Sequence, residues 1–136
     1  MNASVETKCV MQQVAPYFVV QDVFATAEYY RDTLGFTIAG FYGEPPSFTI
    51  LRRDGVAIML KQRPGAERQR SQDETPGAHS DAYFWVADAI ALAKEFKERG
   101  ATFLSEPTYQ QIYNGRDFQV RDCDGRILCF GQLLDD

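Results

Sequence analysis

One phrase of this chain occurs twice. Tyr17-Phe18-Val19-Val20-Gln21-Asp22-Val23-Phe24-Ala25-Thr26-Ala27 returns as Tyr83-Phe84-Trp85-Val86-Ala87-Asp88-Ala89-Ile90-Ala91-Leu92-Ala93. At a constant offset of 66 (83 − 17), Tyr, Phe, Val, Asp, Ala and Ala recur in register. Such a period is too long for a solenoid unit and marks two copies of one supersecondary module.

Each copy reads the same way physically. Alternating residues up to Asp22 or Asp88 predict a strand with two apolar faces. The Asp is a helix N-cap, because its carboxylate accepts the unpaired N–H groups of the first turn. Val23, Ala27, Tyr30 and Leu34 then form one helical stripe, as do Ala89, Ala93 and Phe96. Gly35 and Gly100 stop the helices where a positive φ is commonly needed. Further on, Asp54-Gly55 precedes Val56-Ala57-Ile58-Met59-Leu60, and Asp124-Gly125 precedes Arg126-Ile127-Leu128-Cys129-Phe130, now at an offset of 70 (124 − 54). Asp-Gly between β-like runs is a hairpin signal, so each half ends in an apolar strand.

Composition bounds the function classes. The 136 residues suit one domain, with 45% hydrophobic and 24% charged residues. A net charge of −5 argues against a nucleic-acid binder, which needs a basic face for phosphates. No run is long enough to span a bilayer, and no signal-peptide pattern opens the chain. Cys9, Cys123 and Cys129 are an odd number without metal-knuckle spacing, which favours a reducing cytoplasm.

In order, Met1 to Gln13 reads as a lead-in that becomes strand near Val14. Strand one ends at Val20, and its helix runs from Val23 to Thr33. Strands follow at Phe36–Phe41, Phe48–Arg53 and Val56–Lys61. Gln62–Pro76 has a loop composition and reads either as a solvated linker or as a lid or partner-contact loop. Module one thus covers about 14–61, the linker 62–76 and module two about 78–131. The second half predicts a strand at His79–Val86, a helix at Ala89–Arg99 and a strand at Thr102–Leu104. A hairpin follows, with Tyr109–Tyr113 and Arg116–Arg121 flanking Asn114-Gly115, then a last strand at Arg126–Gly131. The pattern is βαβββ twice over, which makes the fold class α+β.

Four stretches carry a family resemblance: Tyr17 to Val23 with Tyr29-Tyr30-Arg31-Asp32-Thr33-Leu34-Gly35-Phe36; Asp54-Gly55 to Leu60; Phe84 to Asp88; and Gly115-Arg116-Asp117-Phe118 through Asp122-Cys123-Asp124-Gly125 to Phe130-Gly131. Together they resemble the vicinal oxygen chelate superfamily of glyoxalases, extradiol dioxygenases and bleomycin-resistance proteins, closest in pattern to the last. The resemblance implies two βαβββ modules forming a curved mixed sheet around a cavity, commonly in a homodimer. In metal-dependent members it implies His, Glu or Gln ligands at positions that fall here on Ala15, Met59, Asp81 and Cys129. Ala15 has no donor and Met59 offers only a thioether. This set implies no metal and no cofactor, while an unusual zinc set of His79, Asp81 and Cys129 stays open.

If those four positions face the cavity, the period of two adds Tyr17, Val19, Ala57, Lys61, Tyr83, Trp85 and Ile127 to its lining. Phe18, Val20, Ile58, Leu60, Phe84, Val86, Leu128 and Phe130 then form the cores. Tyr17, Tyr83 and Trp85 can stack on a ring or a cation, or simply pack. Lys61, Asp117 and Arg121 are further polar candidates. Arg116, just past the Asn-Gly turn, either orients an anionic group at the mouth or is a surface charge. The ligand-binding set is therefore Tyr17, Met59, Tyr83, Trp85, Tyr113, Arg116 and Cys129, with no catalytic residue assigned. The leading expectation is a cytoplasmic, metal-independent binding protein for an aromatic or cationic small molecule. The alternatives are a metal-dependent lyase, isomerase or dioxygenase, and a non-catalytic interaction module. Neither nucleic acid nor membrane is expected as a partner.

Overall fold

Asp22 and Asp88 each start a helix. The Asp22 carboxylate accepts from the N–H groups of Phe24 at 3.0 Å and Ala25 at 3.1 Å, opening α1 (Val23–Leu34). Asp88 accepts from the Ala91 N–H at 3.0 Å and opens α2 (Ala89–Glu98). Gly35 ends α1 with φ 74°, a left-handed conformation that a residue with a Cβ resists. The computed structural model describes residues 8–65, 75 and 77–135. Most of the Gln62–Pro76 segment, with the lid or contact role considered for it, lies outside the described residues.

The first module places β1 (Tyr17–Val20), α1, β2 (Thr37–Tyr42), β3 (Phe48–Arg53) and β4 (Val56–Gln62) in a sheet of order β1-β4-β3-β2. The second places β5 (Ala82–Trp85), α2, β6 (Thr102–Gln110), β7 (Gly115–Arg121) and β8 (Ile127–Leu133) in order β5-β8-β7-β6. In both, the first strand runs parallel to the last, since a helix crossover separates them, and the remaining pairs are antiparallel. The chain is α+β with two βαβββ modules.

Three strand expectations change. The Thr102–Leu104 run continues through Pro107 to Gln110 as one strand. Pro107 is tolerated because β6 is an edge strand, and β6 shifts register against β7 on either side of Ser105. Gln111–Tyr113 is a 3-10 turn rather than strand, and Asn114 takes the left-handed conformation with φ 51°. Strands one and five begin at Tyr17 and Ala82, so Ala15, His79 and Asp81 precede their strands.

Alternate strand residues form the core. Phe18, Val20, Ile58, Leu60, Phe84, Leu128 and Phe130 join both helical stripes in one continuous cluster, with Val86 packed against it. Each large apolar side chain so buried contributes about 1.5–3 kcal/mol. Both sheets turn their helix-side faces into this common core.

Polar groups lock the modules together. Arg126 is 2% exposed and its guanidinium lies 4.7 Å from the centre of the Phe18 ring. Its Nη1 meets Asp124 at 3.1 Å and Asp122 at 3.5 Å, and its Nη2 donates to the Val19 carbonyl at 2.6 Å. Tyr30 donates to Asp122 at 2.6 Å, and Thr26 donates to Asp124 at 3.0 Å. Burial first, then the Asp122 charge, pushes the Tyr30 phenol well up. On the opposite side of the joint, Arg53 donates to both oxygens of Glu95 at 2.8 Å and to the Leu34 carbonyl at 2.8 Å. The turn reading of Asp122-Cys123-Asp124-Gly125 and the strand reading of Arg126 held no hint of this buried joint.

Candidate functional site

With one face of each sheet in the core, the other points out of the molecule. Tyr17 is 54% exposed and Trp85 57% exposed. These outward faces hold most of the residues singled out in the sequence.

The second module's face is the more elaborate. Tyr83 and Trp85 project from β5, two residues apart, with ring centres 4.9 Å apart. Tyr113 stands on the 3-10 turn and meets Trp85 edge-on at 5.7 Å. The Tyr83 and Tyr113 hydroxyls lie 2.5 Å apart, and both donate toward Asp117 Oδ2, Tyr113 at 2.5 Å and Tyr83 at 3.2 Å. Gln110 Nε2 donates to Asp117 Oδ1 at 3.0 Å. Two glycines admit this packing. A Cβ on Gly131 would stand 2.1 Å from the Tyr83 hydroxyl, and one on Gly115 would stand 2.1 Å from the Tyr113 ring. Beneath the cluster lies Cys129, 3% exposed.

The network keeps its protons. Burial, followed by the Asp117 hydrogen bond, pushes the Tyr113 phenol up to about 12. Burial of the hydroxyl and its bond to Tyr113 push Tyr83 up further, although the whole side chain is 40% exposed. Burial, then the Asp117 charge, pushes the Cys129 thiol up to about 12. The face therefore presents neutral rings above one carboxylate with three donors.

On the first module, Tyr17 and Met59 are register partners in β1 and β4. Phe48 lies 6.4 Å from Tyr17 and 6.2 Å from Tyr42 between ring centres. Lys61 sits beside Phe48 in the ladder and donates to Ser47 Oγ at 3.1 Å. This is a second aromatic face with a cation at its edge.

The structure thus brings Tyr83, Trp85, Tyr113 and Cys129 together, and gathers Tyr17 with Met59 on the other sheet. It puts Arg116 elsewhere. Arg116 shares its strand face with Phe118 and Val120 of β7, whose side chains are in the core, so it stands on the helix side. That shared parity is readable in the sequence, whereas the place just past the Asn-Gly turn carries no information about the face. Asp117 takes the site position instead. Phe48, Gln110 and the two packing glycines were not singled out, and only β-sheet register reveals them. Arg121 is 8% exposed and donates to the Gly125 carbonyl at 3.0 Å, at the end of β7 on the face it shares with Asp117.

The donor set does not fit the metal that some chelate-fold members hold. Asp81 Oδ2 accepts from the Ile127 N–H at 2.8 Å, and its Oδ1 faces His79 Nε2 at 3.1 Å. Cys129 is a protonated, buried thiol, Met59 a thioether, and Ala15 has no donor. Among the described residues, no three His, Cys, Asp or Glu side chains cluster to hold an ion, so His79, Asp81 and Cys129 do not form the unusual set.

Comparisons with known proteins agree with this architecture. The model of the glyoxalase/bleomycin resistance protein/dioxygenase superfamily matches residues 11–130. Among curated proteins, none matches the sequence. A glyoxalase/bleomycin resistance protein/dioxygenase from Alicyclobacillus acidocaldarius superposes with a TM-score of 0.72 at 19% identity, covering 92% of this chain and 93% of that one. A bleomycin-binding protein complexed with bleomycin gives 0.71 at 21% identity, over 91% of this chain and 100% of that one. The bleomycin resistance determinant encoded on transposon Tn5 gives 0.68 at 20% identity, over 90% and 98%.

Proposed function

We propose, for a chain that belongs to the glyoxalase/bleomycin resistance protein/dioxygenase superfamily, that it binds a flat aromatic or cationic small molecule without a metal. The ligand lies against Trp85, Tyr83 and Tyr113. Two copies pair so that the Tyr17 face of one covers the Trp85 face of the other. The observation that carries this reading is the exposed Trp85 standing over a proton-rich, hydrogen-bonded Tyr83–Tyr113–Asp117 cluster. Rings of this kind hold a flat ligand by stacking and a cation by their π faces.

The outward direction of both faces supports this pairing. One chain cannot close Tyr17 and Met59 over Trp85 while both sheets share a core, but two chains can. The free thiols Cys9, Cys123 and Cys129 fit a reducing cytoplasm. Among the described residues, no helix is long and apolar enough to cross a membrane.

Trp85 is the single tryptophan of the chain, so its emission reports on this face with no other indole contributing. Metal-free bleomycin and a panel of planar cations should quench it saturably, and native mass spectrometry should show a dimer with a stoichiometry that matches the quenching. Trp85→Ala should weaken, by about tenfold or more, any ligand found by calorimetry. Retention of full affinity in that variant would remove Trp85 from the site.

A further inference from the structure

The internal duplication supplies a control for every feature of this fold, and one corner fails to match its copy. In the Arg126 corner, the second module's hairpin packs against β1 and α1, as described above. At the quasi-equivalent corner, the first module's Arg53-Asp54-Gly55-Val56 hairpin packs against β5 and α2. There a cavity of about 570 Å³ lies open.

The offsets explain why. Asp54 matches Asp124 and Val56 matches Arg126 at the offset of 70, while Phe84, Trp85, Leu92 and Phe96 match Phe18, Val19, Thr26 and Tyr30 at 66. The filled corner therefore holds an arginine, a threonine and a tyrosine where the open corner holds valine, leucine and phenylalanine. Removing the long cation leaves the space. Removing the polar partners leaves its walls apolar, with Phe36, Val56, Phe84, Leu92 and Phe96 among them.

What received the cation remains. Phe84 still presents a ring, as Phe18 does beneath the Arg126 guanidinium. Asp54 still supplies a carboxylate at the mouth and has Arg53 Nε at 3.9 Å. Val86 N–H donates to Gly131 within the sheet, so by alternation the Trp85 carbonyl turns to the free edge of β5. The corresponding Val19 carbonyl accepts Arg126 Nη2, and among the described residues the Trp85 carbonyl has no such donor. Asp88 adds a second carboxylate to the lining. Arg53 does not serve as the missing group, since it is committed to Leu34 and Glu95 and lies over Phe96 at 5.8 Å. Glu95 is in turn shared by Arg53 and Arg99.

We infer that this corner is a second small-molecule site, taking a guanidinium or amidinium group carried on an aryl or alkyl body. The cation lies over Phe84, between the Asp54 carboxylate and the Trp85 carbonyl, as the Arg126 guanidinium lies over Phe18 between Asp124 and the Val19 carbonyl. The apolar body fills the space toward Leu92 and Phe96. The volume falls in the range of small-molecule sites and exceeds what a bare guanidinium occupies. The site is formed within one chain, on the side of the sheets away from the Tyr83–Tyr113 cluster, and does not depend on the binding proposed there.

Benzylguanidinium and its neutral isostere benzylurea separate charge from shape. Calorimetry should show one benzylguanidinium per chain, bound about tenfold or more tightly than benzylurea. Amide resonances of Gly55, Val56, Ala91 and Leu92 should move, and those of Tyr113 and Asp117 should not. Val56→Arg, which restores the residue of the filled corner, should abolish binding. Should that variant fail to fold, the exposed Asp54→Asn decides, with an expected loss of about fivefold to tenfold. Equal binding of benzylurea, unchanged affinity in Asp54→Asn, or shifts confined to the Tyr113 face would each overturn the assignment. Probe binding that disappears as the chain dimerises would give the pocket to a neighbouring copy and overturn it equally.

Discussion

Arg126 reaches Val19 across 107 residues of sequence, donating from Nη2 to the carbonyl at 2.6 Å. With Asp122 at 0% side-chain exposure beside it, this guanidinium is the charged centre of the module joint. Arg126→Met removes the partner of a buried carboxylate and should cost about 3 kcal/mol in urea unfolding. Asp122→Asn in the same chain should recover part of that loss, because a neutral amide needs no counter-charge. An additive double variant would show that the two groups do not act as a pair.

Gly131 lies under the Tyr83 hydroxyl, where a Cβ would stand 2.1 Å away. Gly131→Ala should therefore push Tyr83 off Asp117 at a cost of about 1–3 kcal/mol. Because the Tyr83 and Trp85 rings touch, the Trp85 emission maximum should shift in the folded variant. An unchanged spectrum with unchanged stability would mean that the backbone of β8 moves aside freely.

The three thiols should react in a fixed order. Cys9 is exposed, whereas burial pushes Cys123 up to about 11 and Cys129 up to about 12. At about pH 8, a disulfide reagent should titrate Cys9 quickly, the half-buried Cys123 slowly and the buried Cys129 only on unfolding. The same shifts set an alkaline limit. Their folded values lie above the ordinary 9.0, so folding favours the protonated thiols. Their stabilising effect is complete below 9.0 and is lost as pH rises toward 11 and 12. Cys129→Ala should flatten the alkaline arm of the stability profile.

Glu95 sets a small acid response. The hydrogen bond from Arg53, then that from Arg99, holds its carboxyl below the ordinary 4.5. Its contribution is present above 4.5 and disappears as pH falls through the lowered value. Both partners are partly open to solvent, so the effect is about 0.5–1 kcal/mol. Glu95→Gln should lower stability near neutral pH by that amount and reduce the slope of the acid arm in denaturant titrations.

Much of the architecture was legible from local signals. Helix starts at Asp22 and Asp88, the αL stop at Gly35, and the core parity of Phe18, Ile58, Phe84 and Leu128 all agree with the structure. Each depends on residues within a turn or a few strand positions. The same parity gathered Tyr83, Trp85 and Cys129 on one face. Arg116 stands on the opposite face because it shares the strand parity of Phe118 and Val120. Tyr109–Tyr113 did not form a separate strand, since the chain had no local signal for where β6 ends and the 3-10 turn begins.

By itself the sequence determined a doubled strand–helix–meander unit and the two faces of its sheets, because periodicity and capping are short-range. Only the tertiary structure decided what meets across the duplication. It made Asp81 a cap for Ile127, buried Arg126 on Phe18, and left the Val56 corner open. Those outcomes depend on register and on contacts between residues tens of positions apart, where one side chain length separates a filled corner from a cavity.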